Sequence, residues 1–222
     1  MDCIYLAAGI GKRFNQEIPK QFYKLNGKPI LIYALEVLEK VEWIEKIYVT
    51  HNSDYRNLYE QAFEDYNISK VILTDGGDTR QESVYKALKK VTTSKILIHE
   101  AARPFIFKNF LNIFTKLDNE VAVVPTIPIP FTVSQGNEYM TGILDRNSLH
   151  NIQLPQMFDT RILLESHEKA IEEKFNATED SLLLFKYGYK VKFIEGIENN
   201  LKITTPLDLL IAEQFSGGFS ND

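Results

Sequence analysis

Small residues and cations lie together near the start of the chain. The segment Leu6–Arg13 reads LAAGIGKR and follows a short apolar run. Small residues let backbone N–H groups approach a phosphate, and the cations that follow can neutralise its charge. Pro19 restricts the backbone before Lys20, so this lysine has a defined direction. The pattern favours a phosphate-binding loop over the alternative, an ordinary glycine turn with surface lysines.

A second glycine-rich loop follows the apolar run Val71–Leu73. The segment Gly76–Ser83 reads GGDTRQES. A Gly-Gly turn offers backbone amides, and Asp78 can either cap the next helix or accept a hydrogen bond from the exocyclic amine of a base. Ligands bind at the carboxyl ends of strands in open α/β sheets, so the position favours a binding role over a bare turn.

A third loop, His99–Pro104, reads HEAARP. It begins like the zinc motif H-E-x-x-H, but Arg103 occupies the place of the second histidine, which excludes zinc. A single carboxylate, Glu100, beside a phosphate-binding loop suits Mg²⁺, which takes its other ligands from water and substrate phosphates. The alternative is an ion pair between Glu100 and Arg103.

These loops need strands that end side by side. Short apolar runs alternate with helical patterns through the first 125 residues, which predicts an α/β fold with helices packed on a sheet. The predicted strands are Cys3–Ala7, Lys46–Thr50, Val71–Leu73, Ile96–His99 and Val121–Val124.

Three helices are predicted from apolar spacing and capping residues. Pro29 suits the first position of a helix whose apolar face is Ile30, Leu31, Ala34, Leu35 and Leu38. A second helix has the apolar face Val84, Ala87, Leu88 and Val91. A third begins at a capping box of Thr205 and Asp208, with one face formed by Leu207, Leu210 and Ile211.

The segment of about residues 126–146 interrupts the alternation. Two β-prone runs, 131–133 and 139–144, flank a Gln-Gly-Asn turn and predict a hairpin. We interpret it as a surface lid or as an arm that reaches another subunit. There is neither a repeat nor a linker, so residues 1–215 are predicted to form one domain. Residues 216–222 are expected to be a disordered tail.

Composition limits the possible partners. The 222 residues include 25 Lys and Arg against 30 Asp and Glu, and this net charge of −5 disfavours nucleic acid and anionic membranes as partners. A basic island at residues 12–28 suits a small polyanion instead. No run approaches the roughly 18 apolar residues of a membrane span. The single cysteine, Cys3, cannot form an internal disulfide, so we expect a reducing, cytoplasmic location.

Taken together, the motifs resemble the cytidylyltransferases that make CDP-activated polyols, the 2-C-methyl-D-erythritol 4-phosphate and ribitol-5-phosphate cytidylyltransferases. The resemblance rests on LAAGIGKRF, PKQF, GGDTRQESV, HEAARP, LDRN, LPQMF and NLKITTPLDL. It covers the chain from Ile4 to Leu210 in the family's order. It implies a Rossmann-like, mostly parallel sheet between helices, of the nucleotide-diphospho-sugar transferase type, with a β-arm that builds a homodimer.

The resemblance also implies a reaction and a site. CTP and a polyol phosphate of the 2-C-methyl-D-erythritol 4-phosphate type would give a CDP-polyol and pyrophosphate with the help of Mg²⁺, which Glu100 would hold. The alternative acceptor is ribitol 5-phosphate or another alditol phosphate used in surface polysaccharide synthesis. The cations implied to hold the triphosphate and the transition state are Arg13, Lys20 and Lys202. The residues implied to bind the nucleotide are Ala7, Ala8, Gly9, Gly11, Gly76, Gly77, Asp78, Ser83 and Ala101. Arg103 would shape the substrate pocket, and Arg146 would cross the dimer interface to bind the substrate phosphate.

The sequence departs from the family pattern at three places. The usual aspartate of the H-D-A-x-R-P motif is Glu100, the usual threonine of T-P-Q is Leu154, and the usual Asp-Thr of the arm is Pro128-Ile129. The last two concern the acceptor side. We therefore expect the family's nucleotide chemistry, but a slower reaction with 2-C-methyl-D-erythritol 4-phosphate than with another acceptor, such as ribitol 5-phosphate or a related alditol phosphate.

Three other functions compete with this interpretation. A nicotinamide-dependent dehydrogenase would need a third small residue where Phe14 stands and a clear ribose-binding acid on the second strand, and the sequence has neither. A Walker A phosphate-binding loop does not fit either, because it would need Ser or Thr where Arg13 stands. A non-catalytic nucleotide-binding homologue would have lost the three cations, which are present. A purine-nucleotide sugar transferase is nearer, but the GGD turn and NLKITTP favour cytidine by resemblance.

Overall fold

The computed structural model describes residues 1–9 and 18–218, so Gly11 and Arg13 lie outside the described residues. Its strands are β1 Asp2–Leu6, β2 Lys24–Leu25, β3 Lys28–Pro29, β4 Ile47–His51, β5 Val71–Asp75, β6 Lys95–Glu100, β7 Ala122–Pro128, β8 Ser134–Gly136, β9 Met140–Ile143, β10 His150–Ile152, β11 Gln156–Asp159 and β12 Lys192–Glu195. Its α-helices are α1 Ile30–Glu39, α2 Arg56–Asp65, α3 Arg80–Leu88, α4 Lys108–Thr115, α5 Thr160–Glu172, α6 Asp180–Lys186 and α7 Pro206–Ser216.

Eight of the strands form one sheet in the order β10-β7-β11-β6-β1-β4-β5, with β12 also paired to β7. The strands β6, β1, β4 and β5 are mutually parallel, whereas β11 runs antiparallel to both β6 and β7. This is the predicted Rossmann-like, mostly parallel α/β fold. The parallel strands bring the carboxyl ends of β1, β4, β5 and β6 to one edge of the sheet.

Both faces of the central strands are buried under helices, and alternate side chains of each strand point to opposite faces. On β1, Cys3 and Tyr5 join a core cluster with side chains of α1, α2 and α4. Ile4 joins a second cluster with side chains of α3, α5 and α6. A sheet between two helical layers results, which explains why the central strands are continuous apolar runs.

All five predicted strands are present, with shifted ends. β7 extends four residues beyond the prediction, to Pro128. Pro29 belongs to β3 and is the N-cap of α1, not its first residue. The capping box of Thr205 and Asp208 is formed as predicted. The predicted apolar face behind it is largely exposed to solvent, and Ala212 is the buried residue of α7.

The predicted hairpin consists of β8 and β9, which pair antiparallel. Its first strand begins at Ser134, so residues 131–133 precede it and the prediction for them was wrong. Five large apolar side chains of this arm are exposed: Phe131, Tyr139, Met140, Ile143 and Leu144. The chain then returns through β10, antiparallel to β7.

At the C-terminus, α7 continues to Ser216 and is followed by a turn at 217–218. The rest of the predicted tail, residues 219–222, lies outside the described residues. Within the described ranges, no helix is long and apolar enough to cross a membrane.

Candidate active site

A cavity of about 570 Å³ opens at the carboxyl ends of β1, β4 and β6. Ten of the predicted site residues line it: Ala7, Ala8, Gly9, Lys20, Gly77, Asp78, Ser83, Glu100, Ala101 and Lys202. Among the described residues, Gly76, Arg103 and Arg146 are predicted site residues that are not part of its lining. The structure thus brings loops distant in sequence to one place.

The first wall is the end of β1, at Ala7–Gly9. The amide of Ala7 donates to the side-chain oxygen of Thr50 at 3.1 Å, which ties this wall to β4. The carbonyl of Ala7 accepts from Nε2 of Gln21 at 2.6 Å and from the hydroxyl of Tyr59 at 2.6 Å. Gln21, Thr50 and Asn52 also line the cavity, and sequence reasoning missed all three.

The second wall is the Gly-Gly-Asp turn before α3. The amide of Gly76 donates to the carbonyl of His51 at 2.8 Å, and the amide of Gly77 donates to Oγ of Ser83 at 2.9 Å. The sequence predicted that the backbone amides of Gly76 and Gly77 are open to a ligand, but both donate hydrogen bonds within the protein. The N-cap of α3 is Thr79, so the carboxylate of Asp78, which does not cap the helix, remains exposed in the cavity.

Gly76 has a steric reason to be glycine. A Cβ atom built at this position would overlap the Cβ of Ala8 and would lie 3.1 Å from the carbonyl oxygen of His51. Gly76 therefore lets the second wall pack directly on the first, although it does not itself face the cavity.

Glu100 is at the centre of the third wall. Its Oε1 atom lies 2.9 Å from Nζ of Lys202 and 3.2 Å from Nε of Arg103. Burial would raise the pKa of Glu100, but the adjacent charges of Lys202 and Arg103 outweigh burial and lower its pKa below the usual value. The ion pair with Arg103, which was the alternative to a metal ligand, is formed.

Arg103 holds this wall together and does not face the cavity. Besides Glu100, its guanidinium donates to the carbonyl of Asn200 at 2.7 Å and to that of Ile152 at 3.4 Å. Protein acceptors engage the guanidinium, an arrangement that suits the expected role of shaping the substrate pocket, and direct substrate binding by Arg103 stays a prediction. Its contact with Asn200 positions the segment that carries Lys202.

Two of the described lysines, Lys20 and Lys202, line the cavity. Nζ of Lys20 donates to the carbonyl of Ile203 at 2.5 Å, and the amide of Ile203 donates to the carbonyl of Ala102 at 2.8 Å. The two lysines are thus attached to the same segment. Paired cations beside small-residue loops can bind a polyphosphate and neutralise it.

A magnesium ion fits this site only with the help of substrate oxygens. The described parts of the chain contain no group of three or more His, Cys, Asp or Glu side chains that could hold a metal. Mg²⁺ commonly uses one or two carboxylates together with phosphates and water. Glu100 and Asp78 are carboxylates that line the cavity and suit this mode.

A buried charge network supports the cavity from α3, α5 and α6. Arg80 lines the cavity and contacts Asp180 at 2.6 Å and Glu179 at 3.1 Å. Nε2 of His167 lies 3.0 Å from the other oxygen of Asp180. Burial would raise the pKa of Asp180, but Arg80 and His167 lower it to about 2. Sequence analysis missed this network, and the signal that could have revealed it is the pair of acidic residues at 179–180 before an apolar run.

Two residues of the predicted acceptor side lie elsewhere. Arg146 is on the exposed arm, and its Nη1 donates to the carbonyl of Pro130 at 3.3 Å. Leu154 is 1% exposed and packs in the core cluster that contains Ile4. Because Leu154 is buried in the core, the expectation that it lies on the acceptor side was wrong.

The chain is similar to known proteins along nearly its whole length. The family model IspD, 2-C-methyl-D-erythritol 4-phosphate cytidylyltransferase, matches residues 1–217. A relative of that name from Geobacillus kaustophilus is 38% identical over 216 residues, covering 96% of this chain and 95% of the relative. One from Clostridium botulinum (strain Langeland) is 36% identical over 217 residues, with 95% of each chain covered.

Solved structures agree with these sequence matches. A crystal structure of 4-diphosphocytidyl-2C-methyl-D-erythritol synthase from Anaerococcus prevotii superposes with a TM-score of 0.85 at 27% identity, covering 97% of this chain and 95% of that one. The 2-C-methyl-D-erythritol 4-phosphate cytidylyltransferase of Thermus thermophilus gives a TM-score of 0.79 at 26% identity, covering 96% and 98%. The cavity, the fold and these matches agree: the chain belongs to the 2-C-methyl-D-erythritol 4-phosphate cytidylyltransferase family.

Proposed function

We propose that this protein transfers the cytidylyl group of CTP to 2-C-methyl-D-erythritol 4-phosphate, giving CDP-methylerythritol and pyrophosphate in isoprenoid precursor synthesis. The observation that carries the proposal is the cavity of about 570 Å³, which Lys20 and Lys202 line together with the small-residue loop Ala7–Gly9. The shared name of the relatives supports the acceptor. Because Leu154 is buried in the core, it supplies no reason to prefer a different polyol.

The reaction requires alignment and charge neutralisation. An oxygen of the acceptor phosphate attacks the α-phosphorus in line, a P–O bond forms, and the bond to the bridging oxygen of the β-phosphate breaks. Its electron pair leaves with pyrophosphate. A phosphate anion is already a nucleophile, so no general base is needed, and the protein acts by holding two repelling anions together.

Lys20 and Lys202 are the described cations suited to this task. Lys20 is fixed through the carbonyl of Ile203, and Lys202 is fixed through the carboxylate of Glu100. Both ammonium groups are thereby preorganised near the place where charge develops on the α-phosphate, which is how such groups stabilise a transition state. Arg13 is assigned the same role from the motif alone.

The base is proposed to be read by Asp78. Its carboxylate is an acceptor exposed in the cavity and can pair with the exocyclic amine of cytosine. Uracil presents a carbonyl at that position, so a carboxylate facing it would lose its donor. Such an unpaired contact costs about 1–3 kcal/mol, which favours CTP over UTP.

Magnesium is proposed as the cofactor, with Glu100 as the residue that holds it. When bound, the ion would neutralise the triphosphate and fix its oxygens. Lys202 contacts the same carboxylate of Glu100, so its ammonium group and the magnesium ion would lie on one side of the cavity.

The arm is proposed to build a homodimer. Its exposed apolar side chains, among them Phe131, Met140 and Ile143, would be covered by a second copy. Arg146 lies on this arm and would bind the acceptor phosphate of the neighbouring subunit. A cytoplasmic location is proposed from the lone, buried Cys3.

Pyrophosphate release over a grid of substrates tests the proposed function. The four nucleoside triphosphates are each combined with 2-C-methyl-D-erythritol 4-phosphate, ribitol 5-phosphate and erythritol 4-phosphate, with Mg²⁺ present. We expect the fastest release with CTP and the methylerythritol phosphate. Equal rates with CTP and UTP would remove the base assignment. A faster reaction with ribitol 5-phosphate would replace the proposed acceptor.

A further inference from the structure

A buried tyrosine outside the cavity forms hydrogen bonds with two of the residues that line it. Tyr59 lies on the inner face of α2 and is fully buried. Its ring packs edge-on against Phe22 at 4.7 Å and against His51 at 5.8 Å between ring centroids. Apolar packing explains the ring, but it does not explain the hydroxyl, which sits deep in the protein and must be paired there.

Two hydrogen bonds hold that hydroxyl. It donates to the carbonyl of Ala7 at 2.6 Å and accepts from Nε2 of Gln21 at 2.7 Å. Its proton and one of its lone pairs are therefore both engaged within the protein. Burial raises the pKa of Tyr59 to about 12, which keeps the proton on the hydroxyl at neutral pH.

The hydroxyl of Tyr59, Nε2 of Gln21 and the carbonyl of Ala7 form a closed hydrogen-bond triangle, because Gln21 also donates to Ala7 at 2.6 Å. Ala7, Gln21 and Asn52 all line the cavity, whereas Tyr59 is not among its described lining residues. The sheet fixes the ends of β1 and β4 relative to each other. The turn of Lys20–Phe22 lies outside that sheet, and the triangle ties it to β1.

We propose that Tyr59 is a positioning residue for nucleotidyl transfer, which sets the distance between the Lys20–Phe22 turn and the nucleotide-binding loop at Ala7–Gly9. Lys20 precedes Gln21 directly, so a shift of the turn moves the ammonium group that faces the α-phosphate. The kinetic part of this inference rests on the proposed function. The structural part, that the hydroxyl holds the turn, does not.

The test is Tyr59→Phe, which keeps the ring and removes the hydroxyl. The matched control is Tyr48→Phe, because Tyr48 is also buried and donates to a backbone carbonyl, that of Lys90, at 2.9 Å. The first measurement is hydrogen exchange at the amides of Phe22 and Tyr23, which close the turn through Pro19 and Lys20. We expect exchange about tenfold faster in Tyr59→Phe and unchanged exchange in Tyr48→Phe.

The second measurement is the rate of cytidylyl transfer. We expect Tyr59→Phe to lower kcat about tenfold with little change in the KM for CTP. In a Lys20→Ala background the same substitution should have no further effect, since Tyr59 acts through Lys20. Unchanged exchange at the turn, or rate losses that multiply in the double variant, would overturn the inference. If the unaltered protein transferred no cytidylyl group, the proposed function would fall and the exchange result alone would decide whether the hydroxyl positions the turn.

Discussion

Nζ of Lys202 lies 2.9 Å from Oε1 of Glu100, and Arg103 contacts the same oxygen at 3.2 Å. Glu100 is buried, whereas the side chain of Lys202 is 38% exposed. The carboxylate therefore anchors the lysine from the protein side and leaves its ammonium group accessible from the cavity. One carboxylate against two cations leaves this wall positive, as an anionic substrate requires.

The first prediction concerns the metal. Glu100→Gln removes the negative charge, so the Mg²⁺ concentration that gives half-maximal activity should rise about tenfold or more. Glu100→Asp keeps the charge and restores the family's usual residue, and it is the control. Activity is measured against Mg²⁺ at saturating CTP. An unchanged Mg²⁺ dependence in Glu100→Gln would show that substrate phosphates alone hold the ion.

The second prediction concerns the close packing of Gly76 on Ala8. Gly76→Ala should destabilise the fold by about 1–3 kcal/mol and weaken CTP binding, because the added methyl overlaps the Cβ of Ala8. The double variant Gly76→Ala, Ala8→Gly should recover most of both losses. Gly218→Ala, where an added Cβ meets no atom within 4 Å, is the control. Calorimetry of unfolding and of CTP binding measures both effects, and failure of the double variant to recover would exclude this contact as the cause.

The third prediction concerns the arm. If Arg146 serves the neighbouring subunit, Arg146→Ala and Lys20→Ala proteins, each inactive alone, should regain partial activity when mixed and allowed to exchange subunits. A mixed dimer then contains one site with both residues intact. Formation of the mixed dimer is checked with differently tagged chains. Mixed dimers without activity would place Arg146 in the site of its own chain and contradict the prediction.

The fourth prediction concerns the charge network behind Arg80. Asp180→Asn should lower the free energy of unfolding by about 3 kcal/mol near pH 7, because Arg80 and His167 lose a buried anion. The pKa of Asp180 is about 2 in the folded protein, below the value of about 3.9 in an unfolded chain. Its contribution is therefore complete above pH 4 and is lost as the pH falls toward 2.

Urea unfolding at several pH values between 7 and 3 checks this prediction. The difference between Asp180→Asn and the unaltered protein should be constant down to about pH 4 and then shrink. The control is Asp75→Asn, because the side chain of Asp75 is 77% exposed and should contribute little. A difference that grows below pH 4 would contradict the network as described.

Much of the fold was predictable because its signals are local. Apolar runs located the central strands, and Thr205 with Asp208 marked the start of α7. The exposure of Leu207 on α7 was not predictable, since apolar spacing shows which residues share a face and not whether another element covers it. The end of β7 was missed for a similar reason, because its pairing with β10 and β12 is a long-range contact.

The site was predictable where backbone loops form it and less so where side chains pair across the fold. Motif order identified the loops of Ala7, Asp78 and Glu100, which meet at the cavity. The pairing of Arg103 with the carbonyls of Asn200 and Ile152 depends on tertiary geometry, and it removes Arg103 from the cavity. The role of Tyr59 could not be read from sequence, because a buried tyrosine resembles any other core aromatic residue.

The most direct test of the central claim follows the α-phosphorus itself. Excess enzyme is mixed with CTP labelled at the α-phosphorus and with 2-C-methyl-D-erythritol 4-phosphate, and single-turnover transfer of label to the CDP product is timed. We expect complete transfer in the unaltered protein, transfer about 10²–10³ slower in Lys20→Ala, and no change in Lys108→Ala on the exposed start of α4. Label that never leaves CTP, or Lys20→Ala as fast as the unaltered protein, would contradict this expectation.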